Sequence, residues 1–549
     1  MKKIIIGCLI LLFIHPYAFC QKPKIVNIVN FVRLLEPRDK SITEDVLYQT
    51  VVKQIALMRL HHLPGTFLLQ YDALMNPRYQ QLLKSLPRDS FEIGAWWEIP
   101  EPLVEHAGMK WRGRYPWDWR ANIGFSTGYT PAEREKLIDT YMGDFKKIFG
   151  YYPKSVASWF IDAYSLNYMY QKYHIVASAN CKDQYGTDGY TLWGGYWNQA
   201  YYPSKVNAYM PAQHASKQIA VPIFRMLGSD PIRQYDDGLM QDRQGVVTLE
   251  PVYPKAGGDS VWVHWFLKQF VNGASMAFAY TQAGQENSFT WKAMAKGLEM
   301  QFPLFEKLRD EGRIKVETLA QSGEWFKKNF STTPATSVTA LEDLPGGNKK
   351  TVWFDSKFYR ANLLWDKGSL RFRDIHLFNE NIPSPYINTP TTSNECHLFT
   401  LPFVDGYLWS NKTILAGLWF KTMVDHKEVL LLGDDKPIVS DKQKGLLKIS
   451  WHLKNIPGIL YMEFTDKQIT IHLKTSKKQN WFLDLVTANN ATLPFKDIST
   501  KTVQASAENS DYAVTASKGS FSKEAGQVFR LSPEKNKIIL KMNSYPPLK

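Results

Sequence analysis

Groups able to do chemistry recur at or just past the ends of short apolar, strand-like runs. Arg33 and Glu36 follow IVNIVNFV, Gln70 and Asp72 follow TFLL, Trp96, Trp97 and Glu98 end FEIGAWWE, and Asp162 closes SVASWFID. Asn180, Lys182 and Asp183 follow IVASA, Arg225 and Asp230 lie in IFRMLGSD, and Gln282, Gln285 and Glu286 lie in MAFAYTQAGQE. Parallel strands of one barrel bring such ends to a single mouth, here rich in carboxylates and indoles. Two carboxylates across a glycosidic bond divide the work of nucleophile or base from that of general acid. Glu98, behind Trp96 and Trp97, suits sugar hydroxyls while the rings stack on a sugar face. Glu36 equally suits an ion pair with Arg33 or Arg38, and Asp162 the N-cap of a helix over 163–173. Trp111, Trp117 and Trp119 on one loop, and Trp193 and Trp197 on another, suit a sugar cleft or packing onto the barrel.

The elements that would position these groups alternate in type. From Lys24 to about Phe330, strand-like runs are separated by helical stretches near 44–58, 77–86, 131–149, 166–173, 260–270 and 291–310, with Ser41-x-x-Glu44 as a capping-box pattern. Strand–helix alternation implies parallel strands, and about seven repeats imply a (β/α)7-type closed or nearly closed barrel. After Thr332 a stretch rich in Ser, Thr, Pro and Gly leads into strand-like runs with turn signals and no long helix, the pattern of an antiparallel β-sandwich. The expected division is a signal peptide over 1–20, a barrel over 21–332 and a β-sandwich over 345–549.

The chain has 549 residues, 44% hydrophobic and 21% charged, which excludes disorder, collagen and coiled coil. Aromatic residues reach 14%, with 18 Trp and 28 Tyr, more than packing alone asks for. A basic start, an apolar run from Ile4 to Ile14 and Ala18-Phe19-Cys20 read as a secretory signal cleaved after Cys20, with lipidation of Cys20 the weaker alternative. The expected location is therefore periplasmic or secreted, and no other apolar run is long enough to span a bilayer. Without Lys2 and Lys3 the balance is 64 Lys and Arg against 52 Asp and Glu, which suits a solvated surface or an anionic partner such as an acidic polysaccharide. Cys181 and Cys396 remain, too few for a disulfide framework, and whether they pair is left open. Nucleic-acid motifs, phosphate-binding glycine loops, dinucleotide fingerprints and serine nucleophile elbows are all missing.

From about Ile25 to Phe330 the order of segments resembles the polysaccharide deacetylase superfamily and the related barrels of the family-57 and family-38 glycoside hydrolases. The resemblance rests on Glu92-Ile93-Gly94, on Gly150-Tyr151-Tyr152-Pro153 before SVASWFID, and on Leu319-x-x-Ser322-Gly323-x-Trp325-Phe326. The two-part layout also resembles a family of secreted bacterial proteins of unknown function. The deacetylases hold a divalent metal with a strand-one Asp-Asp pair and two histidines four apart. Here those positions carry Val29-Asn30-Phe31, Trp96 and Pro100, so no metal or other cofactor is expected. By position Asp162 matches the first carboxylate of the metal-free family-57 enzymes, with Asp230 or Glu286 as the second. Glu36, Trp96, Trp97, Glu98, Trp159 and Gln285 are the expected substrate-binding residues. Two readings follow: a metal-independent glycoside hydrolase acting on an oligo- or polysaccharide, or a non-catalytic glycan-binding protein on a degenerate deacetylase-like barrel.

Overall fold

The computed structural model describes residues 22–543 apart from residue 242, so the expected signal segment lies outside the described residues. Seven parallel strands form the barrel: Lys24–Val32, Gly65–Leu69, Phe91–Trp96, Ser155–Ala157, Ala177–Asn180, Ile223–Arg225 and Ala279–Ala283. They pair in the order seventh, first, second, third, fourth, fifth, sixth. No ladder joins the sixth to the seventh; Gln199 bridges them instead. Its carbonyl accepts from the Arg225 amide and its side-chain oxygen from the Tyr280 amide, each at 2.9 Å. The barrel is thus nearly closed, with one seam stitched by a side chain.

Period-two alternation sorts the strand residues. Ile25, Val29, Phe31, Leu68, Trp96, Ala157, Phe224 and Tyr280 form the inner core. Val26, Ile28, Val32, Phe67, Leu69, Ile93, Ala95 and Trp97 face the surrounding helices. Gly94 is required where it stands, because a Cβ there would lie 2.8 Å from the Ser155 carbonyl of the neighbouring strand. Carried past the strand ends, the same alternation aims Arg33 and Glu98 over the mouth.

Helices Glu44–Leu60, Pro131–Phe149, Ala163–Tyr173, Ser260–Asn272, Thr290–Asp310 and Leu319–Asn329 pack around the barrel. The first is capped by Thr43, whose hydroxyl accepts from the Val46 amide, and not by the Ser41 box; Asp39 instead accepts from both the Ser41 amide and its hydroxyl. Thr130 with Glu133, and Thr318 with Gln321, form true capping boxes.

Beyond Asn329 the only helical element among the described residues is the short turn Ala525–Gln527. The chain there forms two antiparallel sheets, of ten and eight strands. Phe354 and Phe372 of one pack against Phe464 of the other, at 5.5 and 6.2 Å between ring centroids, as in a β-sandwich. Strand Cys396–Phe399 reaches back to pair in parallel with Tyr190–Trp193, part of the hairpin after the fifth barrel strand. Cys181 and Cys396 are buried free thiols.

Candidate active site at the barrel mouth

Arg33, one residue past the first strand, holds two carboxylates on one guanidinium. Nη1 donates to Glu98 Oε2 at 3.1 Å and Nη2 donates to Glu286 Oε2. The three side chains are at most 6% exposed. Hydrogen bonds of about 3 Å at either end of a planar guanidinium keep the two carboxyl groups within roughly 8 Å of each other. The Arg33 guanidinium also lies 5.0 Å from the Trp117 ring centroid. Its amide donates to the Asn287 side chain at 2.8 Å, tying the loop after the first strand to the loop after the seventh. Ser288 donates to Glu286 at 2.8 Å. Gln285 accepts from the Glu286 amide and donates to Glu250 at 2.9 Å, and Glu250 also accepts from Thr248.

One cation thus serves several carboxylates. Burial pushes the Glu286 carboxyl up to about 7 against the pull of Arg33, and the charges of Glu36 and Glu98 add to the rise. Burial likewise raises Glu98, with Arg33 opposing, and Glu250, with Gln285 and Thr248 opposing. Asp188 stands exposed at a hairpin tip, where Asp188 and Gly189 have φ of 44° and 76°. Although the residue as a whole is exposed, protein crowds around its carboxyl and raises it, with Arg33 and Arg243 opposing. Half-buried Tyr253 has its hydroxyl raised by burial and by Glu250, Glu286 and Asp188, which places its ring among the acids.

Beneath the charged layer Trp96 stacks on Phe31 at 4.1 Å, and Trp159 meets both edge-on at 5.3 and 5.6 Å. Trp159 alone of these is half-buried, leaving part of its indole toward the mouth. Gln70, at the end of the second strand, is fully buried, and neither of its amide atoms bonds within the protein.

Several expected site residues do other work. Asp162 caps helix Ala163–Tyr173 through the Ser165 amide at 2.9 Å, accepts from Ser126 at 2.6 Å and pairs with Arg134 at 2.9 Å. Arg134 also donates to the Tyr386 and Ile387 carbonyls, so this carboxylate fastens the barrel to the β region in place of the catalytic role its position implied. Asp230 accepts from the Ile232 and Arg233 amides, the Arg233 guanidinium and the Trp262 indole, a saturated structural set. Trp96 and Trp97 are core residues at 0% and 1% exposure, Trp97 facing Tyr141 on the helix side, so neither offers a stacking surface. Gln285 is buried and positions Glu286 and Glu250. Glu36, Glu98, Glu286 and Trp159 do gather at the mouth.

Glu250, Tyr253 and Asp188 lie outside the expected set. For Asp188 a signal existed: Asp-Gly between two strand-like runs marks a tight hairpin. Glu250, between Leu249 and Pro251 in a long loop, carries none. The deacetylase metal positions do not fit a metal here: Trp96 is stacked in the core, and Asn30 faces outward to accept from Gln54 at 3.0 Å. Among the described residues no three His, Cys, Asp or Glu side chains converge as ligands, and no helix is long and apolar enough to cross a membrane.

A family described as a domain of unknown function with a solved structure (DUF3863) matches residues 119–336. No curated protein matches the chain. Among solved structures, a candidate glycoside hydrolase/deacetylase from Parabacteroides distasonis superposes with a TM-score of 0.51 at 15% identity, over 69% of this chain and 91% of that one. That likeness shows a shared fold. A 4-alpha-glucanotransferase from Thermococcus litoralis (TM-score 0.32, 9% identity, 95% and 99% covered) and a candidate polysaccharide deacetylase from Mycobacterium smegmatis (0.33, 10%, 56% and 91%) are too distant to argue from.

Proposed function

We propose that this protein is a secreted carbohydrate-active enzyme, a glycoside hydrolase that works without a metal, with Glu286 as general acid and Glu36 as the partner carboxylate. The observation that carries the reading is geometric: Glu98 and Glu286 share the buried Arg33 guanidinium at the mouth of a barrel, and burial with the charges of Glu36 and Glu98 pushes the Glu286 carboxyl up to about 7. An acid at that value is about half protonated at neutral pH, against almost none for an ordinary carboxyl, and can give its proton to a developing alkoxide. Arg33 then stabilises the carboxylate that forms, and Glu98 holds Arg33 from the far side. Glu36, half-buried and without a hydrogen-bonded cation among the described residues, is free to activate water or attack the sugar. Trp159 offers a ring face to the sugar. The description of the Parabacteroides distasonis protein supports the substrate class.

One observation favours the other reading, glycan binding without catalysis: Glu98 and Glu286 are both buried in ion pairs with Arg33. Incubation of the purified protein with a panel of oligo- and polysaccharides, read for products and for binding, separates the two. Cleavage by the wild type that Glu286→Gln abolishes supports hydrolysis, whereas binding with no product from any glycan overturns it.

A further inference from the structure

Lys182 stands two residues past the fifth barrel strand with its side chain 1% exposed. Among the described residues its ammonium makes one hydrogen bond, to the Asp183 carbonyl at 3.1 Å, and no carboxylate lies within ion-pair distance. The adjacent Asp183 carboxylate is committed elsewhere: it accepts from Tyr209, Arg225, Arg360 and the Gly194 amide. Glu250 is bonded to Gln285 and Thr248 and driven toward its neutral form by burial. Asp237 lies on the same side, but its charge is shared with Lys255. A buried ammonium with two of its three N–H donors unmatched is costly unless something supplies acceptors and charge.

We propose that Lys182 sets specificity at this mouth by pairing with a singly charged acidic group on the sugar, a uronate carboxylate or a sulfate ester. The inference rests on the carbohydrate reading above and names the substrate class within it. Arg243 and Lys255, exposed on the neighbouring loop, add positive charge beside the acids gathered on Arg33, and without the expected signal segment the chain keeps a balance of +12, 64 Lys and Arg against 52 Asp and Glu. Burial lowers the Lys182 ammonium from its ordinary value, as expected where the protein itself provides no full counter-charge, and a bound anion would reverse that shift.

The test uses the full chain carrying Glu286→Gln, so that ligands bind without turnover. Titration calorimetry compares oligogalacturonate and oligoglucuronate with their methyl esters, and sulfated carrageenan oligosaccharides with their desulfated forms. At least one acidic ligand should bind tenfold or more tighter than its neutral form, and Lys182→Met added to this background should erase that ratio while leaving neutral binding in place. Whether the carboxylated or the sulfated arm responds identifies the source of the charge. Equal affinity for acidic and neutral forms overturns the inference and leaves the carbohydrate reading standing. No binding of any oligosaccharide, charged or neutral, overturns both. If Lys182→Met does not fold, Lys182→Gln takes its place, and an acid-to-neutral ratio that survives removal of the ammonium overturns the inference.

Discussion

Two buried charge clusters lie on the same barrel and differ in their balance. Where the barrel meets the β region, Asp183 accepts from Arg225 at 2.8 Å and from Arg360, and Arg360 holds Asp374 through two bonds of 2.8 Å. Two cations hydrogen-bond two carboxylates, with a third, Asp355, accepting from the Trp197 amide beside them and raised by burial; although burial also pushes the Asp183 carboxyl up, Arg360 and Arg225 together bring it below its ordinary range. At the mouth one cation, Arg33, meets Glu98 and Glu286 with Glu36 nearby, and the carboxyls there are raised. Burial is the same in both places. What differs is compensation: the matched cluster joins two parts of the fold, while the mismatched one keeps a proton poised where a ligand can use it.

The sharpest way to break this contrast is Glu286→Gln, which keeps the shape and removes the proton donor. Turnover should fall by about 10²- to 10⁴-fold with glycan affinity kept, the range expected for a general acid. Unchanged kcat would remove Glu286 from the mechanism. Asp183→Asn should do the opposite. Leaving Arg225 and Arg360 without their shared anion should cost about 3 to 5 kcal/mol of stability. Chemical denaturation measures it, and a loss under 1 kcal/mol would show that this cluster is not holding the fold.

The strands that carry this contrast were legible in the chain; the charge pairing was not, and Asp183 and Arg225, expected at the mouth, instead pair with each other, Asp183 also with Arg360 of the β region. The run Phe91 to Glu98 displays its alternation openly, so the strand, its inward parity and the position of Glu98 at the mouth follow from local pattern. The switch to strands alone after Thr332 is equally local. Which carboxylate receives which cation is not: Arg33 meets Glu98 and Glu286 across 65 and 253 positions of chain. Asp162 fits a reactive strand end as well as a helix cap until Arg134 and Ser126 arrive from another segment. Trp96-Trp97 looks the same on paper whether it floors a cleft or fills a core, and only the packed neighbours Phe31 and Tyr141 distinguish the two.

The clusters should also titrate in opposite senses. The Glu286 carboxyl is raised in the folded state, so its contribution to stability is full below its ordinary value near 4.5 and is lost as pH rises through about 7. The stability of Glu286→Gln relative to wild type should therefore climb across that window and level off above it. Activity should fall along the same limb if Glu286 must carry a proton. The Asp183 carboxyl is lowered, so its contribution is present at neutral pH and is lost as pH falls below the ordinary carboxylate range. Thermal melts of wild type, Glu286→Gln and Asp183→Asn from pH 2 to 9 test both signs, and parallel curves for all three would refute the contrast.

The smallest effect belongs to the ring that links the two layers of the mouth. Trp159 packs edge-on against Trp96 and Phe31 yet keeps part of its indole uncovered, unlike its two neighbours. If that uncovered face receives a sugar, Trp159→Ala should weaken glycan binding by about 1 kcal/mol, roughly fivefold, the scale of one aromatic contact. Trp159→Phe should restore most of the loss, because a smaller ring still presents a face. The same Ala variant will lose some stability from its contacts with Trp96 and Phe31, so affinity must be measured well below its Tm, where folding is complete. A purely structural Trp159 would move Tm and leave affinity alone. In that case the mouth would read its ligand through charge, with no aromatic platform from Trp159.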